Sequence, residues 1–246
     1  MSSASATRRF QPVWWATALT LAVAALFVRL GFWQLHRADE KQSLIVQFES
    51  GQQTTATLSP RNGDSLPRYQ QVELHGHYDS QHQVLLDNMP SEQGQPGYRV
   101  LTPLELEEGG WLLVDRGWVP LGATRSDLPH IAVADDARTL VGKLDDLPEP
   151  GVRLGDNGAP DPAAGWPRVL SFPRHAELAR ALDRPLQHRI VLLDAKQPDG
   201  YERVWQAHFG LGPERHIAYA VQWFAMAAAV VAIYLTLSFK RADGRE

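Results

Sequence analysis

Two apolar blocks stand near opposite ends of this chain of 246 residues, and they decide most of what it can fold into. The first, "PVWWATALTLAVAALFV", covers residues 12–28; the second, "HIAYAVQWFAMAAAVVAIYLTLS", covers residues 216–238. Each is near the roughly 20 residues that carry a helix across about 30 Å of hydrocarbon. From Ile217 to Phe239 the chain carries no formal charge. The polar stretch between the blocks is long enough for one ordinary domain.

The flanks of the blocks set an orientation. Arg8 and Arg9 precede the first, and Lys240, Arg241 and Arg245 follow the second. Basic residues mark the cytoplasmic side of a span, so both termini are expected there and the central domain on the opposite face. No small-residue cleavage pattern follows the first block; "RLGFWQLHR" is bulky and charged, which reads as an uncleaved anchor. The expected layout is a cytoplasmic tail (1–11), a transmembrane helix (12–36) continuing to about 49, an extracytoplasmic β-rich domain (50–212), a second transmembrane helix (216–239) and a cytoplasmic tail (240–246). The expected location is a bacterial cell inner membrane, with two spans and the central domain periplasmic.

Composition removes several chemistries. With no cysteine there is no disulfide, thiolate nucleophile or Cys-ligated metal. Met1, Met89 and Met226 are the only thioethers, too few for a Met-rich copper site. A net charge of −4 without a basic stripe argues against nucleic acid as a partner.

Between the spans the pattern is mostly short strands. Residues 50–67, rich in Gly, Ser, Thr and Pro, read as a linker with turns. "YQQVELHGHYD", "QVLLDNM", "GYRVLTPLEL", "WLLVDRGWVP", "TLVGKLDDL", "LQHRIVLLDA" and "YERVWQAH" are strand-like, and "EEGG" between the third and fourth signals a hairpin. "GDNGAPDPAAGWP" is a loop by composition. "PRHAELARALDRP" is the one clear soluble helix, with Pro173 at its start and Pro185 past its end. The expected fold class is therefore an α+β membrane protein: two terminal transmembrane helices flanking an antiparallel β-rich domain, a sheet or small barrel, with one helix.

No catalytic constellation stands out: there is no G-x-S-x-G, P-loop, H-E-x-x-H or dinucleotide fingerprint. His75 and His77 share a strand face at metal-compatible spacing, but no third ligand is suitably spaced, and exposed strand histidines are the plainer reading. In "VDRGWVP" the period of two puts Val114, Arg116 and Trp118 on one face. An Arg there needs a carboxylate or a ligand anion; the plainer reading is a structural ion pair with a buried Trp anchor. Gly117 within the strand signals a bulge or a close backbone approach.

At the membrane surface, Arg29, Trp33 and Arg37 form one helix stripe at i, i+4, i+8, and Trp33 can stack under either guanidinium. An interfacial belt accounts for those residue types, but not for Gln34 beside them. On the second helix His216, Tyr219, Ala220, Trp223 and Ala227 follow helical spacing along one face. If the two helices pair, Trp33, Gln34, His36, Arg37, His216, Tyr219 and Trp223 lie at one depth. A neutral imidazole among aromatic walls and Arg groups suits haem, and an interfacial His with ordinary polar neighbours suits the residues equally well.

Four motifs together, "GFWQLHR" (31–37), "GYRVLTPL" (97–104), "DRGWVP" (115–120) and "HIAYAVQWF" (216–224), resemble the Surfeit locus protein 1 family of cytochrome c oxidase assembly factors, in that family's order and over essentially the whole chain. The resemblance implies a non-enzymatic role in maturing the haem–copper oxidase, at insertion of haem a into its catalytic subunit. The implied partners are that subunit, the haem a biosynthesis machinery and membrane lipid. Some bacterial members are described as haem a binders through the histidine that opens the second span, which implies His216 as the iron ligand. Tyr219, Trp223, Trp33 and Arg37 are the implied cofactor-binding neighbours, and Arg116, Trp118, Gln34 and Gln222 the implied partner or propionate contacts. Asp115 stands where many relatives are expected to carry Asn, and His36 falls at an open position of the motif. The competing reading is a structural adaptor of the immature oxidase subunit, its aromatic clusters being protein contacts.

Overall fold

Good helix formers and the absence of proline carry the first apolar block on without a break through "GFWQLHRADEKQSLIVQFES". The computed structural model describes residues 8–51, 54–149, 165–205 and 211–241. The chain divides into two compact units, one of Met1–Ile45 with His208–Glu246 and one of Val46–Ala207. In chain order the elements begin β1 (Arg8–Phe10), α1 (Trp14–Ser50), β2 (Thr55–Thr57), β3 (Gln71–Tyr78), β4 (Val84–Leu86) and β5 (Gly97–Leu106). They continue β6 (Trp111–Pro120), β7 (Ala137–Asp146), β8 (Arg168–Leu170), α2 (His175–Leu182), β9 (Leu186–Leu193), α3 (Pro213–Ser238) and β10 (Phe239–Arg241).

In the first unit, α1 and α3 are each long and apolar enough to cross a membrane. At about 1.5 Å per residue, the 37 residues of α1 span roughly 55 Å, well beyond the hydrocarbon thickness. The two helices pair antiparallel. Thr17 Oγ1 lies 2.5 Å from Tyr234 Oη at one end of the pair, and Gln34 meets His216 at the other. Beyond the Thr17 end, β1 and β10 form a two-stranded antiparallel ribbon, with the rings of Phe10 and Phe239 5.3 Å apart.

The second unit is a barrel. Hydrogen-bonded neighbours run β3–β7–β9–β6–β5, and β5 pairs back onto β3, so five strands close a circuit. Closure removes the open edges that a flat sheet exposes. Strands β2, β4 and β8 extend it outside the circuit. Alternation sorts the side chains: Val72, Leu74, Leu104, Leu112, Val114, Leu140 and Val191 fill the interior. Leu113, Ile190 and Leu192 point outward, where Leu178 and Leu182 of α2 cover them. The backbone N–H of Arg174 donates to Glu177 Oε2 at 2.7 Å, which secures the start of α2.

Several expectations are refined. The strands "GYRVLTPLEL" and "WLLVDRGWVP" form as read and make the expected hairpin. The sheet is mixed, however, because β2–β3, β4–β8 and β6–β9 are parallel pairings. The stretch 50–67 contains β2 and delivers Leu58 to the barrel core; Asn62 organises its turn by donating to Thr57 O at 2.9 Å. "YERVWQAH" is not a strand: its described part makes only a bridge, Trp118 to Glu202. Most of the loop "GDNGAPDPAAGWP", and the end of "YERVWQAH", lie outside the described residues.

Candidate functional site

The site candidates fall in both units. On α1, 100° per residue puts Phe27, Gly31, Gln34 and Ala38 on one stripe. Gly31 and Ala38 are buried there. On α3, the matching stripe is His216, Ala220, Trp223, Phe224 and Ala227, with both alanines buried. These stripes meet. The rings of Phe27 and Trp223 lie 5.5 Å apart, and Phe32 and Phe224 meet edge-on at 5.4 Å. A Cβ on Gly31 would come 2.6 Å from Phe224 Cε1, so this glycine is where the Phe224 ring seats.

His216 is half-buried in this seam, near the start of α3, whose first position is Pro213. Its Nδ1 lies 2.7 Å from Gln34 Oε1. A carbonyl oxygen only accepts, so Nδ1 is the donor, and in the neutral form of the ring Nε2 is the nitrogen with the lone pair.

The other candidates of this unit lie outside the seam. Trp33, Arg37, Tyr219 and Gln222 are exposed, Trp33 by 50% and Tyr219 by 44%. The antiparallel pairing and the helical period place these four on the same flank of the helix pair. Arg37 sits 5.8 Å over the Trp33 ring and pairs with Glu40 at 2.6 Å. Trp223, by contrast, is committed to Phe27 within the seam. Gln34 is committed to His216.

Arg116 and Trp118 belong to the barrel unit, and both are engaged in its structure. Arg116 is 1% exposed. Among the described residues its partners are neutral oxygens, not a carboxylate. Nε donates to Asp199 O at 2.7 Å; Nη1 donates to Gln83 Oε1 at 2.9 Å and Ile131 O at 3.1 Å; Nη2 donates to Ala132 O at 3.4 Å. Neutral oxygens from three separate segments thus take up the guanidinium. The rings of Tyr78 and Tyr201 flank it at 5.8 and 5.0 Å, and burial pushes the Tyr78 phenol up to about 12. The buried ion pair on β6 is the neighbouring one, Asp115 with Arg99. Burial pushes the Asp115 carboxyl up, against the pull of Arg99 and of the Gly117 N–H it accepts at 3.0 Å. Trp118 is anchored through Nε1, which donates to Met89 O at 2.8 Å.

Gly117 shows both features its position signals. Its φ is +111°, and a Cβ there would lie 2.6 Å from Glu202 O. The segment 201–202 therefore crosses directly over β6, with Tyr201 N donating to Arg116 O at 2.7 Å. On β3, His75 Nδ1 lies 2.8 Å from Thr139 Oγ1, and His77 is exposed.

With this geometry in hand, comparison with known proteins gives one result. The SURF1 family model matches residues 21–228, which takes in the seam-forming parts of both helices and every strand of the barrel. The chain belongs to the SURF1 family. Family membership implies a role in cytochrome c oxidase assembly. Similar proteins include a SURF1-like protein of Rickettsia bellii, 26% identical over 227 residues and 89% of each chain. An uncharacterized SURF1-like protein of Mycobacterium bovis is 27% identical over 248 residues, 96% of this chain and 88% of the other. A SURF1-like protein of Monosiga brevicollis is 25% identical over 259 residues, 97% and 92%. Gln34, implied by the resemblance as a partner or propionate contact, meets His216 in the structure, a pairing hidden in the sequence because the two lie 182 positions apart.

Proposed function

We propose that this chain is a membrane-anchored, non-enzymatic assembly factor that binds haem a transiently and assists its insertion into the catalytic subunit of cytochrome c oxidase. The observation that carries the reading is the Nδ1 hydrogen bond of His216, which leaves Nε2 as the ligand atom at the edge of the helix seam. Haem a, if bound, would supply an iron that an imidazole nitrogen can ligate, and His216 would be the residue to hold it. The residues present fit that group. His216 offers one nitrogen whose tautomer is already fixed. Trp33 and Tyr219 offer exposed aromatic surface on one flank, and Arg37 an exposed cation for a propionate. A single protein ligand suits a carrier that must give its cargo up.

The basic residues outside both spans support cytoplasmic termini and a periplasmic barrel domain on a bacterial inner membrane. The oxidase catalytic subunit, the haem a biosynthesis machinery and membrane lipid are the partners of this reading. The test is co-expression with haem a biosynthesis, purification in detergent, and reduced-minus-oxidised visible spectra of wild type and His216→Ala. Haem a bands in the wild type that fall to a small fraction in the variant are the expected result. Bands of equal strength in both would remove His216 as the ligand. Absence of bands from both, with haem a plentiful, would return the exposed flank to protein contacts and favour an adaptor of the oxidase subunit.

A further inference from the structure

We infer that Gln34 is a positioning residue for His216: its side-chain carbonyl, supplied from the other helix, selects the imidazole tautomer whose free nitrogen is Nε2. The use of that nitrogen toward haem iron rests on the functional reading above; the selection of the tautomer does not. Three observations carry it. The bond is short, 2.7 Å, and joins two half-buried side chains across the α1–α3 seam. Gln34 sits on the same stripe as Phe27, Gly31 and Ala38, so helix pairing brings the carbonyl to the ring. The acceptor is also neutral. In the neutral ring, an Nδ1–H that points at this carbonyl leaves the lone pair on Nε2.

Metal-bound histidines commonly donate their second N–H to a carboxylate or a carbonyl, which fixes the ring and raises its basicity. An amide carbonyl does this more weakly than a carboxylate, since bonds to ionised acceptors are the stronger ones. Gln34 therefore readies His216 as a ligand while keeping the bond to iron moderate, as release requires. The tautomer also depends on the pairing of the two helices, because nothing on α3 itself supplies this acceptor among the hydrogen bonds of His216.

The test begins without haem. The full chain, labelled with ¹⁵N-histidine in detergent at mildly alkaline pH, is examined by two-bond ¹H–¹⁵N correlation, and His216 is identified by its loss in His216→Ala. The expected wild-type pattern is a protonated Nδ1 and an unprotonated Nε2. Gln34→Leu is expected to move the ring toward the Nε2–H form, and Gln34→Glu to keep Nδ1–H. Haem a titration of the same proteins is expected to show about 10- to 100-fold weaker binding for Gln34→Leu. For Gln34→Glu it is expected to show binding at least as tight as wild type, with a more negative reduction potential. An unchanged tautomer in Gln34→Leu overturns the inference. So does an Nε2–H form in the wild type. If Gln34→Leu does not fold, an unchanged affinity and potential in Gln34→Glu overturns the positioning role. A wild type that locks Nδ1–H but takes up no haem a supports the tautomer selection and overturns the haem reading alone.

Discussion

Arg116→Met is expected to lower the melting temperature of the barrel by roughly 10 °C. The substitution keeps most of the volume and removes every donor. Gln83 Oε1, Ile131 O and Asp199 O then lose their guanidinium donor in a place where the native side chain is 1% exposed. Gln83 Oε1 keeps Thr102 Oγ1 and Ile131 O keeps Gln83 Nε2, so Asp199 O is the one left facing a thioether. Each lost bond to the charged guanidinium is worth about 1.5–3 kcal/mol. For a domain of this size each kcal/mol moves the midpoint by about 2–4 °C. Replacing a buried ion by an apolar residue is often harmless when its partners are replaced as well, but here the partners stay. The check is thermal denaturation of the full chain in detergent, followed by the β-sheet circular dichroism signal. A shift below about 2 °C would mean that water enters, satisfies Asp199 O and makes up for the bonds lost at Gln83 and Ile131.

The second large effect concerns the residue beside it. Asp115→Ala is expected to cost about 3–5 kcal/mol, because it leaves the Arg99 guanidinium without its carboxylate. It also removes the acceptor of the Gly117 N–H, which helps hold the positive-φ turn where segment 201–202 crosses. Asp115→Asn keeps an oxygen for that N–H, and its expected cost is about half as large or less. Urea unfolding midpoints of the two variants, compared at equal slope, measure the difference. Equal destabilisation by Ala and Asn would show that charge pairing with Arg99 dominates the site. Two mild variants would show that the Trp205 ring, 4.9 Å from the Arg99 guanidinium, and partial solvation suffice for that cation.

Much of this architecture is legible in the residues. Two apolar blocks with basic flanks announce the paired helices, and the runs at 97–106 and 111–120 announce the hairpin, because long strands around a Gly-Gly turn leave few alternatives. Three-residue strands such as β2 and β8 carry too little pattern to see, and what makes them strands is a neighbour. The partner of Arg116 was unreadable for a related reason. Its cage is assembled from residues 83, 131, 132 and 199, which only closure of the barrel brings together. At the seam, the sequence pointed to His216 and flagged Gln34 as unexplained. Helical spacing placed Tyr219 on the face of His216, whereas the seam is centred on Ala220 and Ala227 and leaves Tyr219 at its side.

The order of the strands has a consequence for biosynthesis. Only β9 joins β6 to β7, and it is the last strand of the barrel to be made. Until residue 193 has left the ribosome, the growing chain carries β6 and β7 as two open edges, each able to pair with the wrong neighbour. The barrel is thus finished late and in one step. A chain interrupted before residue 186 keeps most of the core sequence and none of the closure, and it is the form that quality-control proteases should find first.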